Sequence, residues 1–157
     1  MRIAVISDSH GRSDRIEEII DAQPTARHIF FLGDLTADAE NAGYLYPGRE
    51  LHIVSGNCDI FSQYPCEAIA EVCGHRIFYA HGHTLGVKYG IGRLLKAAAE
   101  NQCDIVLYGH THISSTVYEN GIYLVNPGSC ARSRNGPESY AVIDIEKNGI
   151  MPIIVKT

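Results

Sequence analysis

Five short polar clusters hold the side chains with the means to do chemistry in this chain. They are Ser7-Asp8-Ser9-His10, Gly33-Asp34, Gly56-Asn57-Cys58-Asp59, His81-Gly82-His83 and Gly109-His110-Thr111-His112. Carboxylate, carboxamide and imidazole are the oxygen and nitrogen donors that hold divalent metal ions, and five of the eight histidines lie in these clusters. Any one cluster alone is ordinary turn polarity. Five of them, each directly after an apolar run, are hard to explain as turns.

Those runs are Ile3 to Ile6, Ile29 to Leu32, Leu51 to Val54, Ile77 to Ala80 and Ile105 to Tyr108, with a sixth from Ile122 to Val125. Short and rich in Ile, Val, Phe and Tyr, they are predicted strands, and their near-continuous apolarity predicts burial on both faces. The carboxyl ends of such strands form the usual ligand crevice of an α/β sheet, so residues scattered in sequence would meet there. In an extended strand end, Asp8 and His10, like His110 and His112, project to one side at i and i+2. Gly33, Gly56, Gly82 and Gly109 permit tight turns and close backbone approach beside them.

Helices are predicted between the strands. Ser13 can cap one carrying Ile16, Ile19 and Ile20, a short one spans about Thr36 to Asn41, and Ile91, Leu94, Leu95 and Ala98 have amphipathic spacing. Pro47-Gly48 marks a turn before the third strand. This is a β-α-β-α-β opening. Later, Cys73-Gly74, Asn120-Gly121 and Asn148-Gly149 signal hairpins, hence an antiparallel second half. The expected fold is a four-layer α/β/β/α sandwich of two mixed sheets flanked by helices, one domain over residues 1–157.

A composition of 45% hydrophobic and 20% charged residues is that of an ordinary globular chain. The formal charge of −5 argues against stable binding of polymeric nucleic acid, whereas two bound divalent cations would still draw an anion into one pocket. Five cysteines without a C-x-x-C pair suggest a reducing compartment, and the first apolar run is too short for a signal peptide or a membrane span. The expectation is a soluble cytoplasmic protein. His28 and His52, read as preceding strands, and His75, at a hairpin, are expected to be surface or structural residues. Asp38, Glu40 and Asp104 are expected to be solvated or at element ends.

Asp8-x-His10, Gly33-Asp34, Gly56-Asn57-x-Asp59, His81-x-His83 and Gly109-His110-x-His112, in that order, resemble the calcineurin-like metallophosphoesterases, in particular their small bacterial and archaeal phosphodiesterase branch. The likeness covers roughly residues 1 to 130 and includes the Asn126-Pro127-Gly128-Ser129 loop. It implies that Asp8, His10 and His112 hold one ion, Asn57, His81 and His110 a second, and that Asp34 bridges both. Implied catalytic roles fall on Asp34, Asn57, Asp59 and His81, and substrate contacts on Asn57, Cys58, His83 and Arg132. The implied reaction is attack of a metal-bridging hydroxide on a small phosphodiester. Mn²⁺ is the first expectation; Fe²⁺, Co²⁺, Ni²⁺ and Zn²⁺ suit the same donors. Assembly as a homodimer or homotetramer is expected on the resemblance alone.

Many larger members of that family carry His after the Asn ligand, placed to protonate the leaving group, where this chain has Cys58, as small relatives often do. A thiol is a weak hydrogen-bond donor, so good leaving groups are expected to be preferred. Asp59 and His83 could assist through water or simply orient ligands. Arg132 and Arg134 could form a positive rim or remain solvated. The rival readings are a phosphomonoesterase or nuclease using the same site, and a non-catalytic protein-binding scaffold such as the small retromer subunit.

Overall fold

The computed structural model describes all 157 residues. Strands β1 (Arg2–Ile6), β2 (Ala26–Phe31) and β3 (Glu50–Ile53) alternate with helices α1 (Ser13–Ala22) and α2 (Thr36–Leu45). A hairpin of β4 (Glu67–Val72) and β5 (His75–Ala80) follows, then α3 (Gly92–Glu100), β6 (Ile105–Tyr108), β7 (Ser115–Glu119), β8 (Ile122–Asn126), β9 (Ser139–Glu146) and β10 (Gly149–Lys156). The six apolar runs are strands, and the three predicted helices exist. The second helix runs four residues beyond Asn41, because Ala42 continues its buried face.

Two five-stranded sheets result, ordered β10-β9-β1-β2-β3 and β4-β5-β6-β8-β7. In the first, β1, β2 and β3 are parallel, and β9 and β10 extend it antiparallel. In the second, β5, β6 and β8 are parallel, with β4 and β7 as antiparallel edges. This corrects the expectation of a parallel first half and an antiparallel second half. Each hairpin pairs its two strands locally, but α3 and β7 act as crossovers that restore parallel order, and the last hairpin returns to the first sheet.

Period-two alternation sorts the side chains into layers. From β1 and β2, Ile3, Val5, Phe30 and Leu32 meet Ile77, Tyr79, Ile105 and Leu107 of the second sheet between the layers. Ala4, Ile6, Ile29 and Phe31 point the other way, onto Ile16, Ile19, Ile20 and Ala39 of α1 and α2. Phe78, Ala80, Val106 and Tyr108 pack on Leu94 and Ala98 of α3. Central strands covered on both faces require near-continuous apolarity, as these have. β4 is an edge strand and reads differently, with Glu67, Ile69 and Glu71 exposed in alternation.

Candidate metal centre

All five polar clusters lie at one rim, beyond the carboxyl ends of β1, β2, β3, β5 and β6. The backbone there is not extended. Asp8, His10, Asp34, His110 and His112 all have positive φ, between 47° and 68°. This corrects the expectation that pleated strand ends aim the i and i+2 pairs. Left-handed residues coil the chain so that both members of each pair turn inward, at a cost on the order of 1 kcal/mol or more per residue, a strain typical of functional sites.

The donor atoms form two groups. In the first, His112 Nε2 lies 3.2 Å from Asp8 Oδ1 and 3.2 Å from His10 Nε2, and His10 Nε2 lies 3.6 Å from Asp34 Oδ2. In the second, His81 Nε2 lies 3.2 Å from Asn57 Oδ1, 3.2 Å from His110 Nδ1 and 3.5 Å from Asp34 Oδ1. Asp34 thus turns one oxygen to each group. Donors about 2.0–2.1 Å from a shared ion stand about 3.0 Å apart on an octahedral edge and about 3.4 Å apart on a tetrahedral one. The six separations match such edges.

Hydrogen bonds behind the rings leave the inward nitrogens bare. His81 Nδ1 donates to the Leu32 carbonyl at 2.6 Å and His112 Nδ1 to that of Arg132 at 2.7 Å, so in the neutral rings both Nε2 atoms carry lone pairs. With His112 neutral, Asp8 Oδ1 is buried with no hydrogen-bond donor, while its Oδ2 accepts from the Ser7 hydroxyl and the His110 amide. Lone pairs facing lone pairs around an orphaned buried carboxylate oxygen fit a divalent cation. Burial, with His81 nearby, pushes the His110 imidazole down to about 4, so protons do not compete for it near neutrality. Asp8 instead raises His112, which holds its proton more firmly.

Two glycines are fixed by close approach. A Cβ on Gly56 would collide with Asp34 Oδ1, and one on Gly109 with Ser7 Oγ.

Asp59 does not face the donors. Its carboxylate accepts from the amides of Asp34, Leu35, Thr36 and Gly56 at 2.7–3.0 Å, capping α2 from outside and pinning the Asp34 loop to the Asn57 loop. Asp38, expected to be solvated or at an element end, is at the start of α2 but buried there, and accepts from the Ser9 hydroxyl and the Gly11 amide, which ties the Asp8-His10 loop to α2. Only its place in the first turn of α2, facing a neighbouring loop, explains this, and a single sequence carries no sign of it. The Asn126 loop is likewise a prop: Asn126 Nδ2 donates to Gly109 O and Thr111 Oγ1, and the Ser129 hydroxyl to Asp8 O.

His10, Asp34, Asn57, Cys58, His110 and His112 line an open cleft of about 290 Å³, which Lys88, Arg132 and Arg134 also line. Cys58 is exposed there, its amide donating to Asp34 Oδ1 at 3.0 Å. Burial and then Asp34 push its thiol up, so it keeps its proton at neutral pH. His83 lines a neighbouring cleft of about 620 Å³ with Tyr89 and Arg93, its ring centre 5.3 Å from that of His81. All five cysteines are free, and no helix is long and apolar enough to cross a membrane.

A rim of oxygen and nitrogen donors fed by strands of two stacked sheets is the architecture of a metallophosphoesterase. The family model of the calcineurin-like phosphoesterase superfamily domain matches residues 1–148, and the chain belongs to that superfamily. It is 28% identical over 151 residues to "Probable metallophosphoesterase YsnB" of Bacillus subtilis, covering 94% of this chain and 86% of that one. It is 29% identical over 179 residues to "Phosphodiesterase YfcE" of Escherichia coli K12, covering 98% and 91%. The crystal structure of a predicted phosphoesterase from Streptococcus pneumoniae superposes with a TM-score of 0.86 at 31% identity, covering 99% of this chain and 88% of that one. A single mutant of Vps29 from Entamoeba histolytica shares the fold, with a TM-score of 0.77 at 22% identity over 100% and 99% of the two chains.

Proposed function

We propose that this chain is a dinuclear metal-dependent phosphodiesterase acting on small phosphodiesters with good leaving groups. The observation that carries this reading is the split of Asp34, one oxygen toward the Asp8-His10-His112 group and the other toward Asn57, His81 and His110. When bound, two divalent ions, Mn²⁺ first among the candidates, would polarise the phosphoryl group and make water nucleophilic near neutral pH. Lys88, Arg132 and Arg134 attract and orient the phosphate anion across the cleft mouth, and Asp59 keeps the Asp34 and Asn57 loops in register beneath it. With its protonated thiol, Cys58 is no thiolate nucleophile and only a weak donor to a departing oxygen. The name of the Escherichia coli relative favours diesters over monoesters.

The test is a screen of metal-loaded protein on aryl and alkyl phosphodiesters, a phosphomonoester and single-stranded DNA. Turnover greatest on the aryl diester is expected. No turnover of any ester by Mn²⁺-loaded protein would favour a scaffold, a reading the shared fold with Vps29 keeps open and the complete donor set opposes.

Cys58→His supplies the missing proton donor at this position. Because general acid help is worth roughly 10²–10⁴-fold, the variant is expected to raise alkyl diester turnover by on the order of ten-fold or more and aryl turnover far less. Equal aryl and alkyl rates in the parent protein would remove the basis for this assignment.

A further inference from the structure

A second convergence of metal-binding side chains lies on β2 and β3, at the edge of the first sheet. The sequence reading placed His28 and His52 ahead of their strands; both are inside them, on β2 and β3. In the parallel register His28 stands beside Glu50, and Phe30 beside His52. All alternate with Ile29, Leu51 and Ile53, which go to the helix layer, so His28, Glu50 and His52 share the face turned toward the second sheet. None of the three is among the donors at the carboxyl rim: His28 precedes Asp34 by six residues and His52 precedes Asn57 by five.

The three side chains meet at their polar tips. His28 Nδ1 lies 3.1 Å from His52 Nε2 and 3.5 Å from Glu50 Oε2, and His52 Nε2 lies 3.7 Å from Glu50 Oε1. Ligands about 2.0–2.1 Å from a tetrahedral ion stand about 3.4 Å apart, a value these distances bracket. The imidazoles are buried to a similar degree, with 13% and 14% of their side chains exposed, whereas Glu50 is 53% exposed. His52 is held flat on Phe30, ring centres 4.3 Å apart, and edge-on to Tyr79. Such packing fixes the donor in place before any ion arrives.

We propose that His28, Glu50 and His52 form a further transition-metal site, of the zinc class, distinct from the centre at the carboxyl rim. Two imidazoles and one carboxylate are a three-ligand set for Zn²⁺, with the fourth position open to water at the sheet edge that β3 forms. The nitrogen-rich set favours Zn²⁺, Ni²⁺ or Cu²⁺ over Mg²⁺ or Ca²⁺. An ion here ties edge strand β3 to β2.

The full chain, stripped of metal and reloaded with Zn²⁺, is passed over a desalting column and its zinc counted by mass spectrometry, beside His28→Gln and His52→Gln. Each variant is expected to retain one zinc ion fewer per chain than the parent while its Mn²⁺-supported phosphodiester turnover is unchanged. Crystals of the parent soaked in Zn²⁺ are expected to show an anomalous peak between His28 Nδ1 and His52 Nε2. Should removal of the packed His52 ring unfold the chain, His28→Gln and the anomalous map decide alone. Equal zinc counts in parent and variants, or a map without that peak, would overturn the site. Because the count is a difference between chains with identical carboxyl rims, it is independent of what the rim binds.

Discussion

Asp34→Asn is expected to lower turnover of an aryl phosphodiester by on the order of 10³-fold or more, beyond the 10²–10³ that one oxyanion donor supplies, without unfolding the chain. The argument is atomic. Asp34 Oδ1 accepts the Cys58 amide, so the carboxamide oxygen of the variant must take that place, which puts an NH₂ group where Oδ2 now faces His10. An amide nitrogen has no lone pair to offer a cation, and the shared negative charge is gone. The Asp8-His10-His112 group therefore loses its fourth donor, whereas Asn57, His81 and His110 keep theirs. Titration with Mn²⁺, followed by the spin resonance of free ion, should give a weakened or missing first equivalent with the other retained. A variant that kept a tenth of parental turnover would sink the bridging role assigned to Asp34.

The second large effect is on stability and comes from a residue outside the donor groups. Asp59→Ala strips the acceptor from four backbone amides, two of them in the loop that carries the metal-facing Asp34 and one at the first residue of α2. Loss of a helix cap costs about 1 kcal/mol, and each amide left without a partner about 1–3 kcal/mol when water cannot reach it. With partial hydration the sum is about 3–5 kcal/mol, which for a chain of this length lowers the melting temperature by about 10 °C. Mn²⁺ affinity should fall 10- to 100-fold as well, the usual effect of losing a group that orients a ligand. Thermal unfolding of metal-free protein reads the first number and Mn²⁺ titration the second. A melting temperature within about 2 °C of the parent would show that the four bonds contribute nothing net.

The site was legible in sequence because strand and donor are adjacent along the chain: Ile6 leads to Asp8, Leu32 to Asp34, Ala80 to His81 and Tyr108 to His110. The seven side chains singled out by motif order lie together at the rim, in two groups that Asp34 joins. The means of convergence was not legible. A left-handed residue at Asp8 or His112 is imposed by the packing of neighbouring loops, such as Ser129 on the Asp8 carbonyl, and non-glycine residues carry no mark of it. The sequence places Asp38 at a helix end and allows Asp59 an orienting role, but their particular partners, the Ser9 hydroxyl and backbone amides of other segments, are likewise set by loop packing. Strand existence was readable from composition and hairpins from Asn-Gly pairs. The parallel order of β5, β6 and β8 was not, because it depends on which faces α3 and the inter-sheet core cover rather than on any local pair.

Asp8, His10, Asp34 and Asn57 leave the first sheet, whereas His81, His110 and His112 leave the second, and each donor group draws on both. Any cation seated there acts as a rivet through the seam of the sandwich. The work of seizing the ion and the work of keeping the two layers shut then become one and the same free energy, so a chelator that strips the cation is expected to unfasten the rim as well.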